Sequence, residues 1–371
     1  MSELKVNSIK GTGASSAAIT IDASDGTATG KFTNLPGRNL IINGEFNVAQ
    51  RSTAAVTTSS GSNEGYQTVD RWQMDMDGTT AAFTQQQVDL TAATDPDGFY
   101  KAFKIDCTTA DASVAAGDWV SLIQNVEGLD WAQLNYGRSD AKTITVSFWV
   151  KSTKTGTYSF SIRNSAANRY YIAEYTVSSS DTWEKKTITI AGDTSGTWLT
   201  TNGIGARLGF SLIIGSTDYA TAGSWGAGNK FGSSNQVNFF DNTSNNFLIT
   251  GVQLEVGSTA TDFEHKSYGD ELAKCQRYYE ILYMSNGTAC CYSTGDATIK
   301  YSHMWYFKQE KRAQATVALL DDAVFTVSGG GTITLTGIFT SKDHAMFYYD
   351  SGMFRLGDGT QHASVKAESE L

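Results

Sequence analysis

From Phe99 onward the chain runs in short stretches that alternate apolar and polar side chains, and no other feature constrains its fold as much. Residues 144–150 place Ile144, Val146, Phe148 and Val150 on one side and Thr145, Ser147 and Trp149 on the other. That period of two belongs to a strand half-buried in a sheet, because successive side chains of a pleated backbone point to opposite faces. Comparable stretches lie at 99–108, 118–127, 142–152, 156–165, 169–179, 183–192, 206–215, 235–241 and 247–257. They are rich in Thr, Tyr and Val, and Gly, Asn and Ser separate them, which predicts an all-β fold. Spacing this short leaves no room for helical crossovers, so two antiparallel sheets of the jelly-roll kind are expected. Residues 129–136 read as a helical turn or a bulged connection. The Gly-rich stretch 215–236 reads as a long loop of the sort that often carries function.

A chain of 371 residues exceeds the roughly 250–300 that one hydrophobic core usually serves. Four parts are legible. Residues 1–38 hold Phe32 as their one aromatic and only short apolar pieces, too little to bury a core alone. Two readings compete for them, a disordered tail or a segment ordered by pairing with other chains, and the alternation in ITID and GKFTNL leans toward the second. Residues 39–265 form the jelly roll, opened by the Asn43-Gly44 turn signal. Residues 266–281 carry one short connecting helix, with Ser267 as N-cap, Asp270 and Glu271 in its first turn, and Tyr268, Leu272, Cys275 and Tyr279 on one face. Residues 282–371 return to strands, with a hairpin across Gly329-Gly330-Gly331, and make a small C-terminal β-sandwich.

The net charge of −10 and the lack of a basic stripe argue against nucleic acid as partner, since phosphate contacts need clustered Lys and Arg. No apolar run reaches the ~18 residues of a membrane span, and the first residues show no signal-peptide pattern. Cys107, Cys275, Cys290 and Cys291 fit no zinc spacing and are expected to be free thiols. His265, His303, His344 and His362 lie in no metal spacing either. No nucleophile elbow, P-loop or dinucleotide fingerprint is present. Asp75 with Asp77, or Asp95 with Asp97, could supply the two carboxylates of a glycosidase, but no motif ties either pair together. The reading is therefore a non-enzymatic protein with no cofactor.

Aromatic side chains outside the core are the candidates for ligand contact, because the C–H faces of sugars stack on Trp and Tyr. Trp225, Phe231 and Tyr219 lie in the Gly-rich stretch, and Trp198 lies in GTWLTTNG. Tyr170 and Tyr171 are adjacent in a strand, so one of them must face out. Each could equally lid the core or touch another subunit. Trp72, Trp119, Trp149 and Trp183 are expected to pack the sandwich, and Tyr348, Tyr349 and Phe354 are possible residues of a C-terminal tip.

Three pieces of sequence together resemble tail-fibre and fibre-like virion proteins of bacteriophages, including those of marine and cyanobacterial hosts. They are NLIINGEFNVAQRS at 39–52 with YQTVDRWQ at 66–73, the stretch 249–280, and the opening MSELKVNSIKG. The resemblance implies a homotrimeric virion component assembled in the host cytoplasm. Residues 1–38 would attach it to a tail adaptor or nozzle protein, and the body would recognise host surface polysaccharide. A capsid head fibre or decoration protein, and a glycan-depolymerising spike, are the alternatives. The jelly roll also resembles carbohydrate-binding modules, through Asn43, Gly44, Glu45 and Phe46 at its opening and residues 247–254 at its close. Many such modules hold a structural calcium with acids in the closing strand. Thr250 and Gly251 stand at those positions here, so the carboxylates for such a site are missing.

Overall fold

The computed structural model describes residues 6–10, 12, 19–21, 28–30, 36–284, 301–320, 325–327, 332–333, 337–349, 354–356 and 363–371. Three short strands come first: β1 (Ser8–Ile9), β2 (Ile19–Ile21) and β3 (Ala28–Gly30). They pair antiparallel with one another. The alternating Ile19–Ile21 piece thus finds strand partners within its own chain, while Ile9 remains exposed.

Twelve strands follow: β4 (Val56–Ser59), β5 (Gln73–Asp77), β6 (Ala82–Asp89), β7 (Lys101–Thr109), β8 (Trp119–Glu127), β9 (Ile144–Ser152), β10 (Gly156–Asn164), β11 (Arg169–Val177), β12 (Glu184–Ile190), β13 (Ile204–Ile214), β14 (Trp225–Ala227) and β15 (Asn246–Val256). They build two six-stranded antiparallel sheets. The front sheet runs β14-β11-β10-β13-β8-β5 and the back sheet β12-β9-β15-β7-β6-β4. Neighbours in each sheet are mostly distant in sequence, as a jelly roll requires. The faces turned toward each other carry the alternating apolar residues, among them Phe103, Phe148, Phe160 and Phe210. Trp72 and Phe46 join this core, with ring centroids 4.9 Å apart.

The remaining aromatics sit elsewhere than expected. Trp119 lies on the outward side of the front sheet, stacked on Phe231 at 4.6 Å. Trp149 and Trp183 pack a satellite cluster around Leu90 and Phe99 rather than the space between the sheets. Residues 129–136 take the helical option, as α1 (Gly128–Trp131) followed by a 3-10 turn at Ala132–Leu134. The predicted strand at 235–241 is instead a 3-10 turn at Phe239–Asp241. The Asn238 side chain accepts the Phe240 amide at 2.8 Å and caps that turn, and both phenylalanines are buried where a strand would expose one of them.

The two ends of the sandwich are fastened to each other. Asn43 adopts φ 59°. Its side chain donates to the carbonyls of Val48 and Asp70 at 2.8 and 2.9 Å and accepts the Val48 amide at 3.0 Å. Next to it, Gly44 lies so close to β15 that a Cβ would stand 2.1 Å from the Val252 carbonyl oxygen. The Val252 amide donates to the Gly44 carbonyl at 2.9 Å, and Asn39 Oδ1 accepts the Leu254 amide at 3.1 Å. Only a residue without a side chain permits this approach.

Past the sandwich come α2 (Tyr268–Gln276), β16 (Tyr279–Met284), β17 (Tyr301–Tyr306), β18 (Thr316–Leu320), β19 (Phe325–Val327), β20 (Thr332–Ile333), β21 (Gly337–Thr340), β22 (His344–Tyr349), β23 (Phe354–Leu356) and β24 (Ala363–Glu368). Ser267 caps α2 by accepting the Asp270 amide at 3.2 Å. Cys275 is buried as expected, but Tyr268 is 59% exposed and leaves the buried face. The strands form three three-stranded antiparallel sheets, β16-β24-β18, β17-β22-β21 and β20-β19-β23. Phe325 pairs with Ile333, the predicted hairpin.

The segment ending at Leu371 docks on the jelly roll through a buried charge network. Glu370 pairs with Arg51 at 3.1 Å and with Arg71. Arg71, 1% exposed, also donates to the Asn125 carbonyl and lies 3.5 Å from the centre of the Tyr278 ring. Arg51 further contacts Asp70 and Glu368, at 3.5 and 3.1 Å. Cys107 and Cys275 are free and buried. Cys290 and Cys291 lie outside the described residues. Among the described residues no helix is long and apolar enough to cross a membrane, and no group of His, Cys, Asp or Glu is gathered to hold a metal ion.

Candidate functional site

The outward side of the front sheet carries polar side chains, many of them covered by the Gly-rich stretch. Strand alternation turns Gln73, Asp75, Trp119, Ser121, Asn125, Ser159, Ser161, Arg163, Tyr170, Arg207 and Ser211 to this side, while their neighbours enter the core. The register aligns them in rows. Asn125, Arg207, Arg163 and Tyr170 stand directly across from one another on β8, β13, β10 and β11. With strands ~4.8 Å apart, this row spans roughly 14 Å.

The Gly-rich stretch roofs one end of the surface. Ser211 Oγ donates to the Phe231 carbonyl at 2.8 Å, and Ser159 Oγ accepts the Ser233 amide at 3.0 Å. The Gln236 side chain accepts the Ser159 amide at 2.6 Å. Phe231 is sandwiched between the Trp119 ring and the Arg163 guanidinium, whose Cζ is 3.9 Å from the Phe231 ring centre. The roof stops short of Tyr170, Arg207, Asp75 and Gln73, which remain half-buried.

Tyr170 faces out and Tyr171 faces in, as alternation demands. The Tyr170 ring covers Gly226 of β14, where a Cβ would stand 2.3 Å from its Cζ. Tyr170 is half-buried, so part of its side chain remains open to solvent. Tyr171 belongs to a cluster at the open edge between the sheets. Its ring is 5.1 Å from Trp225, which is 5.6 Å from both Trp198 and Tyr136. Trp131 lies 5.8 Å from Trp198 behind them. Trp225 is half-buried, and its indole N–H donates to the Ala191 carbonyl at 2.7 Å. The turn feeding this edge is set by Arg169, which forks onto Asp193 at 2.8 and 2.6 Å.

The structure therefore brings Tyr171, Trp198 and Trp225 together at one edge, with Tyr170 on the adjoining face. Trp198 and Phe231 are 6% and 5% exposed and act as supports. Tyr219, 37% exposed, sits apart in the roof, bridged to Gly232. The side chains of Tyr348, Tyr349 and Phe354 lie outside those described. Sequence reasoning missed Arg163, Arg207, Asn125 and Ser161, since nothing local marks them; only the alternation of each strand hinted at their side, and their alignment is a product of register.

A concavity of about 320 Å³ is lined by Asn39, Ile42, Glu127, Asp130, Lys274 and Arg277, of α1, α2 and the segments beside them. Glu127 there is committed to structure. Arg277 donates to it at 3.0 and 2.7 Å and Tyr278 at 2.6 Å. Burial pushes this carboxyl up, but the bonds from Arg277 and Tyr278 outweigh it and hold it below the usual range. Asp95 is similarly engaged, accepting Trp183 Nε1 at 3.0 Å and the Ala92 amide at 2.8 Å.

The fold and this surface define an all-β protein built on a jelly-roll sandwich. No protein-family model matches the sequence, and no curated protein matches it. Among solved structures, the chain is similar to the enzymatically active domain of tailspike protein 4 of bacteriophage CBA120, at 13% identity and a TM-score of 0.31, covering 60% of this chain and 22% of that one. It is also similar to the family 11 carbohydrate-binding module of a Clostridium thermocellum cellulosomal cellulase, at 11% identity and a TM-score of 0.28, covering 58% and 99%. The N-terminal cellulose-binding domain of Cellulomonas fimi β-1,4-glucanase C matches at 12% identity and a TM-score of 0.24, covering 58% and 95%. The chain thus spans about a fifth of the tailspike domain's length. At these scores none of the likenesses sets a ligand or a reaction for this chain.

Proposed function

We propose that this chain is a non-enzymatic phage tail fibre whose jelly roll attaches the particle to glycans of the host surface. The carrying observation is the outward aromatic of the front sheet. The half-buried Tyr170 covers Gly226 beside a row of polar side chains, and an aromatic next to polar groups is what stacks a sugar ring and reads its hydroxyls. The half-buried Tyr171 and Trp225 extend an aromatic edge next to it. The virion reading is supported by the sequence pieces at 39–52, 66–73 and 249–280. In this reading residues 1–38 dock on a tail adaptor or nozzle, three copies form the fibre, and weak sites add through avidity. Binding is favoured over cleavage because no motif ties together a carboxylate pair, and Asp95 spends its oxygens on internal donors. The reading is checked by retention of purified protein on host surface polysaccharide. Tyr170→Ala is expected to weaken retention at least tenfold with the melting temperature unchanged. Release of oligosaccharide from that polysaccharide would sink the non-enzymatic reading, and a monomer at micromolar concentration would sink the trimer.

A further inference from the structure

Arg163 and Arg207 face each other directly across β10 and β13 on the outward side of the front sheet. Like charges in direct cross-strand register destabilise a sheet, so the pair needs an explanation beyond folding. Arg163 is 4% exposed. Its side chain is held by Asn229, whose Oδ1 accepts from it at 2.9 Å, and by the Phe231 ring of the roof. Its buried Nε has no hydrogen-bond partner. Arg207 is half-buried and makes no salt bridge among the described residues.

Around the pair, more polar capacity stands unused. Ser161, fully buried, has a hydroxyl without a partner, and the oxygen of the buried Asn125 amide has none either. Between Ser161 and Ile123 stands Gly209, where a Cβ would meet the Ser161 hydroxyl at 2.9 Å, so the floor of the row is notched there. Buried polar groups without partners cost folding free energy, so the fold keeps this polar face at a cost, and the half-buried Arg207 is its accessible donor. Asp75 and Asp218 are the carboxylates that act on Arg163. They do not offset its burial and the neighbouring Arg207, which together pull the guanidinium down to about 9.

We propose that Arg207, backed by Arg163, binds the anionic group of an acidic glycan, with Tyr170 stacking the adjoining ring. This rests on the glycan-binding reading and names its substrate class. A guanidinium fork matches the paired oxygens of a uronate carboxylate, and sulfate offers the same oxygen geometry. Arg207 is the accessible donor. Arg163 supplies charge from behind it, in surroundings where water screens little. A net charge of −10 on the whole chain makes the local cationic pair selective, since a polyanion is repelled elsewhere.

The test is calorimetric titration of the full chain with three probes: an oligogalacturonate, a sulfated oligosaccharide of similar length, and a neutral β-glucan oligosaccharide. At least one anionic probe is expected to bind at least tenfold more tightly than the neutral one, and more weakly as salt rises. Arg207→Gln is expected to abolish that preference, while Arg207→Lys keeps part of it. Circular dichroism melting confirms that each variant is folded, and Arg163→Gln serves as the second variant. Binding of both anionic probes identifies the shared anion chemistry; binding of one identifies carboxylate or sulfate. Equal binding of neutral and anionic probes, or a preference untouched in both folded arginine variants, overturns this inference while leaving the glycan reading intact. Binding of no probe, together with no retention on host polysaccharide, overturns both.

Discussion

Asp70 shows how one buried side chain sets a pH dependence. Burial raises its carboxyl to about 6, against the pull of Arg51 and the Gln50 hydrogen bond, and Glu370 nearby adds to the rise. The raised value means that the folded protein holds this proton where the unfolded chain has released it. Its contribution to stability is full below about 3.8 and is lost as pH rises through about 6. Between pH 4.5 and pH 7 this amounts to about 2 kcal/mol. Denaturant titrations at pH 4.5 and pH 7 are expected to show that Asp70→Asn removes a fall in stability of that order; an unchanged difference between the two pH values would contradict the assignment. Nothing in VDRW marks Asp70 as unusual, because its partners Gln50 and Arg51 lie 20 and 19 positions earlier and Glu370 is brought in from the far end of the chain.

At the scale of elements, much was legible and the exceptions have physical causes. The strand Ile144–Ser152 follows its alternation faithfully, with Val146, Phe148 and Val150 in the core. Strand β6 was not legible because polar residues occupy its buried face. Gln85 donates to Thr58 Oγ1 at 2.8 Å and Gln87 to the Phe46 carbonyl at 2.6 Å, so the chain hides glutamines where a pattern reader looks for valines. Loop aromatics misled in the opposite direction. Trp198 and Phe231 sit among glycines and threonines, yet the fold buries them as supports. The site row was invisible because Arg163 and Arg207 become neighbours only through strand register. The cap of α2 was legible, since Ser267 precedes Asp270 and Glu271 at the spacing that a first turn uses. Ser267→Ala is expected to cost about 1 kcal/mol in chemical denaturation, and a change within error would mean that tertiary contacts alone hold this nine-residue helix.

For the whole molecule, the network around Glu370 couples the last strand to the jelly roll. Burial would strip the charge from Arg71, but Glu370 holds its guanidinium above the ordinary value. Removing one partner of a buried pair strands the other. Glu370→Gln is therefore expected to destabilise the protein by about 3–5 kcal/mol. Replacing both charges, Arg71→Met with Glu370→Leu, is expected to restore much of that loss. A double variant no better than Glu370→Gln in thermal melting would show that shape rather than charge holds this junction.

The same pairing has a consequence for synthesis. The jelly roll closes when Val252 reaches Gly44, yet Arg71 in its wall waits for Glu370, which leaves the ribosome long afterwards. During that interval Glu370 does not yet cover Arg71, and this corner of the wall stays open to water. The fold is therefore complete only once the last strand has docked against the first part of the sandwich.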